Sequence, residues 1–126
     1  MIYTYSFDKI KCPDPEFLVG KLDEYIRSIR REGGKGIGDA YATKAVFLFM
    51  LRRFDQCNRI MRRKEVENIF HHHGLPLYTE LLKLNSASPK SKVLDLKRKI
   101  NQMIKETRSA ELIQHHRRAL NLLALL

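Results

Sequence analysis

The stretch Ala40 to Lys64, AYATKAVFLFMLRRFDQCNRIMRRK, decides how the rest of the chain must be arranged. Its first half holds seven consecutive apolar residues, Ala45 to Leu51. A helix without a polar face has to be surrounded by protein, so this half is predicted to lie at the centre of the core. From Arg52 the pattern divides. At ~100° per residue, Phe47, Met50, Leu51, Phe54, Cys57 and Met61 share one side, while Arg52, Gln56, Arg59 and Arg63 share the other. Read so, one helix leaves the core as an arginine-striped surface, with Arg52, Arg59 and Arg63 spread over ~16 Å at ~1.5 Å per residue.

Upstream of this stretch, Gly33-Gly34-Lys35-Gly36-Ile37-Gly38 places four glycines in six residues. The segment lacks the GxxxxGK[ST] spacing, follows no apolar strand, and is succeeded by the negative Asp39, so it reads as a hinge and not as a phosphate cradle. Before it, Asp14-Pro15 supplies an N-cap followed by a preset first turn. Leu18, Leu22, Tyr25, Ile26 and Ile29 recur at helical spacing, and Gly33 suits a left-handed stop. A first helix over 14–33 follows. Ile2 to Phe7, IYTYSF, alternates like a strand with no partner in the chain, which predicts an extended arm over 1–12.

Downstream, a short helix from Glu65 to Phe70 ends in His71-His72-His73-Gly74. LPLYTELLKL (Leu75 to Leu84) makes the next helix, with Pro76 near its start. After Asn85 to Ser88, Ser88-Pro89 repeats the cap signal for a helix carrying Val93, Leu96, Ile100, Met103 and Ile104 on one stripe. Ser109 caps the last helix, with Leu112, Ile113, His116, Ala119, Leu120 and Leu123 inward. The expectation is all-α: a compact bundle or short superhelix of about six helices in one domain, with 39–126 as a basic helical remainder.

Charge narrows the function classes. The net charge is +10, and it is uneven. Residues 1–40 carry seven basic and seven acidic side chains, whereas 41–126 carry seventeen and seven. Such a field points to an anionic partner, either nucleic acid (RNA or DNA) or an acidic protein segment. The candidate contacts are Arg52, Arg59, Arg62, Arg63, Lys64, Lys97, Arg98, Lys99, Arg117 and Arg118, residue types that pair with phosphate or carboxylate. Few aromatics are left over for base stacking: Tyr3, Tyr5, Tyr41 and Tyr78 are the candidates, so little sequence specificity is expected.

Other chemistry is poorly supplied. Glu67 with His71 and Glu111 with His115 are four apart, whereas helical di-metal sites use a three-residue Glu-to-His spacing and further inward carboxylates. No Gly-x-Ser-x-Gly elbow occurs. Cys12 and Cys57 read as reduced structural thiols. A non-enzymatic protein without cofactor is expected, with a metal-dependent enzyme as the distant alternative. Apolar runs fall short of the ~20 residues of a spanning helix, and Met1 to Lys11 has no signal-peptide pattern. An intracellular protein away from membranes is the corresponding expectation.

Val66 to Ile104 resembles a single armadillo-type repeat. Gly74, Leu75, Pro76, Tyr78, Leu81 and Leu82 match its second-helix pattern, and Val93, Leu96 and Ile100 match its third. The resemblance implies a helical scaffold that binds extended peptides or nucleic acid. Helical domains of transcription-elongation factors look similar at this level and bind short acidic-aromatic segments. Finally, the C-terminal ALNLLALL carries Leu120, Leu122, Leu123, Leu125 and Leu126, which either dock into this domain, meet a partner or a second copy, or mark a truncation, the last two being the favoured expectations.

Overall fold

A computed structural model describes residues 15–34 and 36–126. Among these residues seven helices follow one another: α1 (Pro15–Arg31), α2 (Ile37–Met50), α3 (Phe54–Ile60), α4 (Lys64–His72), α5 (Pro76–Leu81), α6 (Lys90–Glu106) and α7 (Ala110–Leu123). No strand occurs among the described residues, and the all-α class holds. The expected arm, Cys12 and the Asp14 cap lie outside the described residues.

The apolar run behaves as its composition demands. In α2, Ala40 to Thr43 and Ala45 to Phe49 are all buried. Helix α1 packs along it through Val19, Leu22, Ile26 and Ile29. At the end of α1 the Gly34 N–H reaches the Ile29 carbonyl at 2.8 Å, with Gly33 left-handed at φ 101°. This closes the helix without a side chain and turns the chain back onto α2.

The single helix expected over Ala40 to Lys64 is overturned. The chain breaks twice within it, after Met50 and again after Ile60, giving α2, α3 and α4. At the first break the Arg52 N–H donates to the Phe49 carbonyl and the Arg53 N–H to the Leu48 carbonyl, both at 2.9 Å. Arg52 is left-handed there, φ 61°. The same pair of bonds ends α4, where Gly74 donates to His71 and Leu75 to Phe70. Arg52 thus stands where this chain elsewhere puts glycine, and so the break carries no sequence signal.

Packing supplies the reason. In an unbroken helix Phe49 and Phe54 would diverge; the turn brings their rings edge to face, centroids 4.9 Å apart. It also delivers Cys57, Ile60 and Met61 into the core. The Asn58 amide then donates to the Leu82 carbonyl (2.7 Å) and the Leu84 carbonyl (3.1 Å), and the Cys57 thiol lies 3.3 Å from the Leu82 oxygen. These bonds fasten α3 to the end of α5. Local helix propensity, worth tenths of a kcal/mol per residue, loses to burial of side chains at ~1.5–3 kcal/mol each.

Smaller corrections follow from the termini. Helix α5 is shorter than Leu75 to Leu84, and Pro76 takes its first position. Pro89, not Ser88, is the N-cap of α6; the Ser88 hydroxyl instead accepts from the Asn85 N–H at 2.9 Å. Ser109 caps α7 as expected, accepting from Leu112 N–H. The order short helix, glycine turn, helix, loop and long helix is present over α4 to α6. Packed helical hairpins in general share that order, and it carries no family assignment.

Helix α7 closes the far end against α5 and α6. Leu122 and Leu123 are buried in the chain's own core, and Leu120 and Leu125 pack against it. Of the five leucines, four thus lie in or against the chain's own core, the docking alternative, and Leu126 is exposed. Tyr78 is fully buried, stacked on Phe70 at 5.5 Å, and its hydroxyl donates to the His115 carbonyl. Tyr78 is thereby lost as a stacking platform for bases.

Candidate anionic-partner interface

Breaking the central helix dissolves the arginine stripe. Arg52 now sits in the α2–α3 turn, Arg59 in the last turn of α3, and Arg63 at the N-cap of α4. Arg63 is also committed within the chain. Its guanidinium lies over the Tyr41 ring at 4.1 Å, donates to the Tyr41 hydroxyl at 3.3 Å and pairs with Glu65 at 3.2 Å. Arg30 reaches the same hydroxyl from α1. Tyr41, buried between two arginines, is equally unavailable to a base.

The remaining candidates divide by element. Arg59, Arg62 and Lys64 are exposed around the α3–α4 turn, with Arg63 among them. Arg117 is exposed and Arg118 half-buried on α7. Lys97, Arg98 and Lys99 are exposed on α6. Lys99 is held between Glu80 (3.2 Å) and Asp95 (3.5 Å), and the Glu80 hydrogen bond first, then the charge of both carboxylates, keeps its ammonium above the usual lysine range. Arg98 stands 3.8 Å from Asp95.

What the sequence reading missed is a straight row on α6. Lys90, Leu94, Lys97, Asn101 and Lys105 are spaced by four, three, four and four residues, which puts them on one helix face. All five are exposed, opposite the buried Leu96 and Ile100. Leu94, Lys97, Arg98, Asn101, Gln102 and Lys105 line a shallow groove of about 370 Å³ that contains no carboxylate. At ~1.5 Å per residue the row is ~22 Å long. The signal was present in the spacing, but Lys90 and Lys105 fall outside the dense cluster Lys97-Arg98-Lys99 that draws the eye.

A second groove adjoins it between α5 and α6. Leu77 and Met103 floor a space of about 420 Å³ rimmed by Arg98, Lys99 and Gln102. Leu94, 59% exposed, stands nearby on the same helix.

The histidines do not converge. His71 and His72 are exposed, His73 lies 3.7 Å from Asp39, and His115 and His116 are buried on α7. Among the described residues no three His, Cys, Asp or Glu side chains are grouped to hold a metal ion. No helix among them is long and apolar enough to cross a membrane. Comparison with family models, with curated proteins and with solved structures returns no match for this chain.

Proposed function

We propose that the chain is a non-enzymatic binding protein that contacts nucleic-acid phosphates through the solvent face of α6, with little sequence specificity. The observation that carries this reading is the exposed α6 row Lys90, Lys97 and Lys105, with Arg98 (3.8 Å from Asp95) beside it and with Asn101 and Gln102 in the lining of the carboxylate-free groove. Four cations over ~22 Å match the charge density of a phosphate backbone, and the two amides add neutral donors. No exposed aromatic stands in the row, so base stacking has no platform there. Arg59, Arg62, Lys64 and Arg117 add a general positive field that raises encounter rates.

The test is a titration of duplex DNA, single-stranded DNA and RNA at several salt concentrations. Neutralising about four phosphates predicts a log–log salt slope near −3.6 on duplex, by about −0.9 per contact, so affinity falls roughly 150-fold between 50 and 200 mM salt. Lys97→Gln with Lys105→Gln should bring the slope to about −1.8. Absence of binding at 50 mM salt, or a slope untouched by the double substitution, removes the reading.

A second reading is favoured by the apolar floor of the adjoining groove. Leu77 and Met103 beneath Arg98 and Lys99 suit a short acidic segment bearing apolar side chains. The same titration separates the two, because such a peptide would bind where nucleic acid does not.

A further inference from the structure

The α2–α3 turn borders a third cavity that the nucleic-acid reading does not use. It measures about 550 Å³ and is lined by Arg52, Arg53, Phe54, Asp55, Gln56, Asn85, Ser86 and Ala87. That volume lies within the ~300–1,000 Å³ of small-ligand sites.

Its walls are held in place by contacts made elsewhere. Asn58 fixes α3 to the Leu82 and Leu84 carbonyls, and the Asn85 amide donates to the Asn58 side chain at 3.3 Å. Asn85 also accepts from the Ala87 N–H at 2.9 Å, so its side chain shapes the 85–87 loop and is not free to bind. Phe54 is pinned against Phe49. Arg53 pairs with Glu16 across the turn from α1.

Among the described residues, four polar groups that border the groove have no side-chain partner: the Arg52 guanidinium, the Asp55 carboxylate, the Gln56 amide and the Ser86 hydroxyl. Arg52 is also the one described non-glycine residue with positive φ. This backbone costs a side chain ~1–2 kcal/mol, and the guanidinium makes no bond to the described residues that would offset it. The left-handed backbone serves to close α2; that an arginine holds this glycine position, with an exposed guanidinium bordering the groove, is what points to an anion.

We infer that this cavity binds a nucleoside 5′-phosphate. Arg52 provides a bidentate fork for the phosphate, with the Ser86 hydroxyl as a further donor. Asp55 is a poor neighbour for the phosphate but an acceptor for ribose hydroxyls, which sets the ligand's direction across the cavity. The Gln56 amide carries the paired donor and acceptor that match a base edge, and the Phe54 ring gives an apolar wall. A plain anion leaves Asp55 and Gln56 without partners; a nucleotide employs all four groups. The source is either a free mononucleotide or the phosphorylated 5′ end of a strand. This inference is independent of the α6 row.

The experiment is a heteronuclear NMR titration of the full chain. Its probes are adenosine 5′-monophosphate, adenosine, inorganic phosphate, and a single-stranded hexanucleotide with either a 5′-phosphate or a 5′-hydroxyl. Shifts centred on Arg52, Gln56 and Ser86 are expected with the monophosphate, at affinity at least tenfold above adenosine and above inorganic phosphate. Arg52→Gly should lose at least tenfold in that affinity while melting no lower than the parent, and Lys97→Gln with Lys105→Gln should retain it. A 5′-phosphorylated hexanucleotide that outbinds both the mononucleotide and its 5′-hydroxyl twin assigns the strand end as the source; parity with the mononucleotide assigns the free ligand. No shifts at millimolar monophosphate, equal binding of inorganic phosphate, or full affinity in Arg52→Gly overturns the assignment.

Discussion

Arg52→Gly offers the sharpest check on how the core helix ends. In the parent, Arg52 holds φ 61° so that the Arg52 and Arg53 amides can close the last turn of α2. The left-handed backbone costs an L side chain ~1–2 kcal/mol, which glycine does not incur. Against this, glycine gives the unfolded chain more freedom, worth ~0.5–1 kcal/mol. The difference leaves a gain of roughly 0.5–1 kcal/mol, or about 2–5 °C in Tm for a chain of this size. Arg52→Ala keeps the β-carbon and removes the charge, so it should leave Tm nearly unchanged. Thermal melts followed by circular dichroism at high salt, where exposed charges are screened, measure both. A lower Tm for Arg52→Gly, or equal gains for the two variants, would refute the argument, since either result means the side chain and not the backbone sets the energy.

Three further outcomes follow from buried groups. Tyr78→Phe removes the hydroxyl that donates to the His115 carbonyl inside the core and should lower stability by about 1–2 kcal/mol in a denaturant titration; an unchanged midpoint would contradict the role given to that bond. Burial pushes the Cys57 thiol up to about 12, so in a Cys12→Ser background an aromatic disulfide reagent at pH 8 should react more than a hundredfold faster after unfolding than before. His116 is fully buried, its Nδ1 2.7 Å from the Leu112 carbonyl and its Nε2 without a partner. Burial chiefly, and then neighbouring His115, holds its pKa below the ordinary 6.5, although the Leu112 carbonyl opposes them. The unfolded chain then binds a proton that the folded chain refuses. Stability from this group is complete above about pH 6.5 and is lost as pH falls below it, by at most ~1.4 kcal/mol per unit. His116→Leu should flatten that acid limb, and an unchanged limb would place its cause elsewhere.

The helices and their inward faces were legible because burial leaves a periodic trace. Val66 and Phe70, Leu96 and Ile100, Ala119 and Leu123 recur at the spacing that one buried face requires, and each is buried. The breaks at Arg52 and Arg62 were not legible. Helix ends are written in the sequence as glycine, proline or a capping hydroxyl, and neither break uses any of these. They exist because Phe54 packing on Phe49 of α2 and Cys57 reaching Leu82 at the end of α5 gain more than the chain loses by interrupting a helix, and Leu82 stands 25 positions from Cys57.

The same asymmetry governs the charged residues. Whether an arginine is available to a partner depends on its neighbours in space, and those were hidden. Arg63 and Arg52 look equivalent in the stretch from Ala40 to Lys64, yet the Arg63 guanidinium is consumed by Tyr41 and Glu65 while that of Arg52 bonds to none of the described residues. Lys99 and Lys97, two residues apart, separate in the same way: one bridges Glu80 and Asp95, the other faces a groove without a carboxylate. A net charge of +10 therefore overstates the charge any partner would meet. Once paired side chains are set aside, what remains concentrated is the α6 row from Lys90 to Lys105. On the proposed reading, that row suits a phosphate backbone, long and evenly charged, whereas the groove beside Arg52 is proposed for a compact phosphorylated ligand.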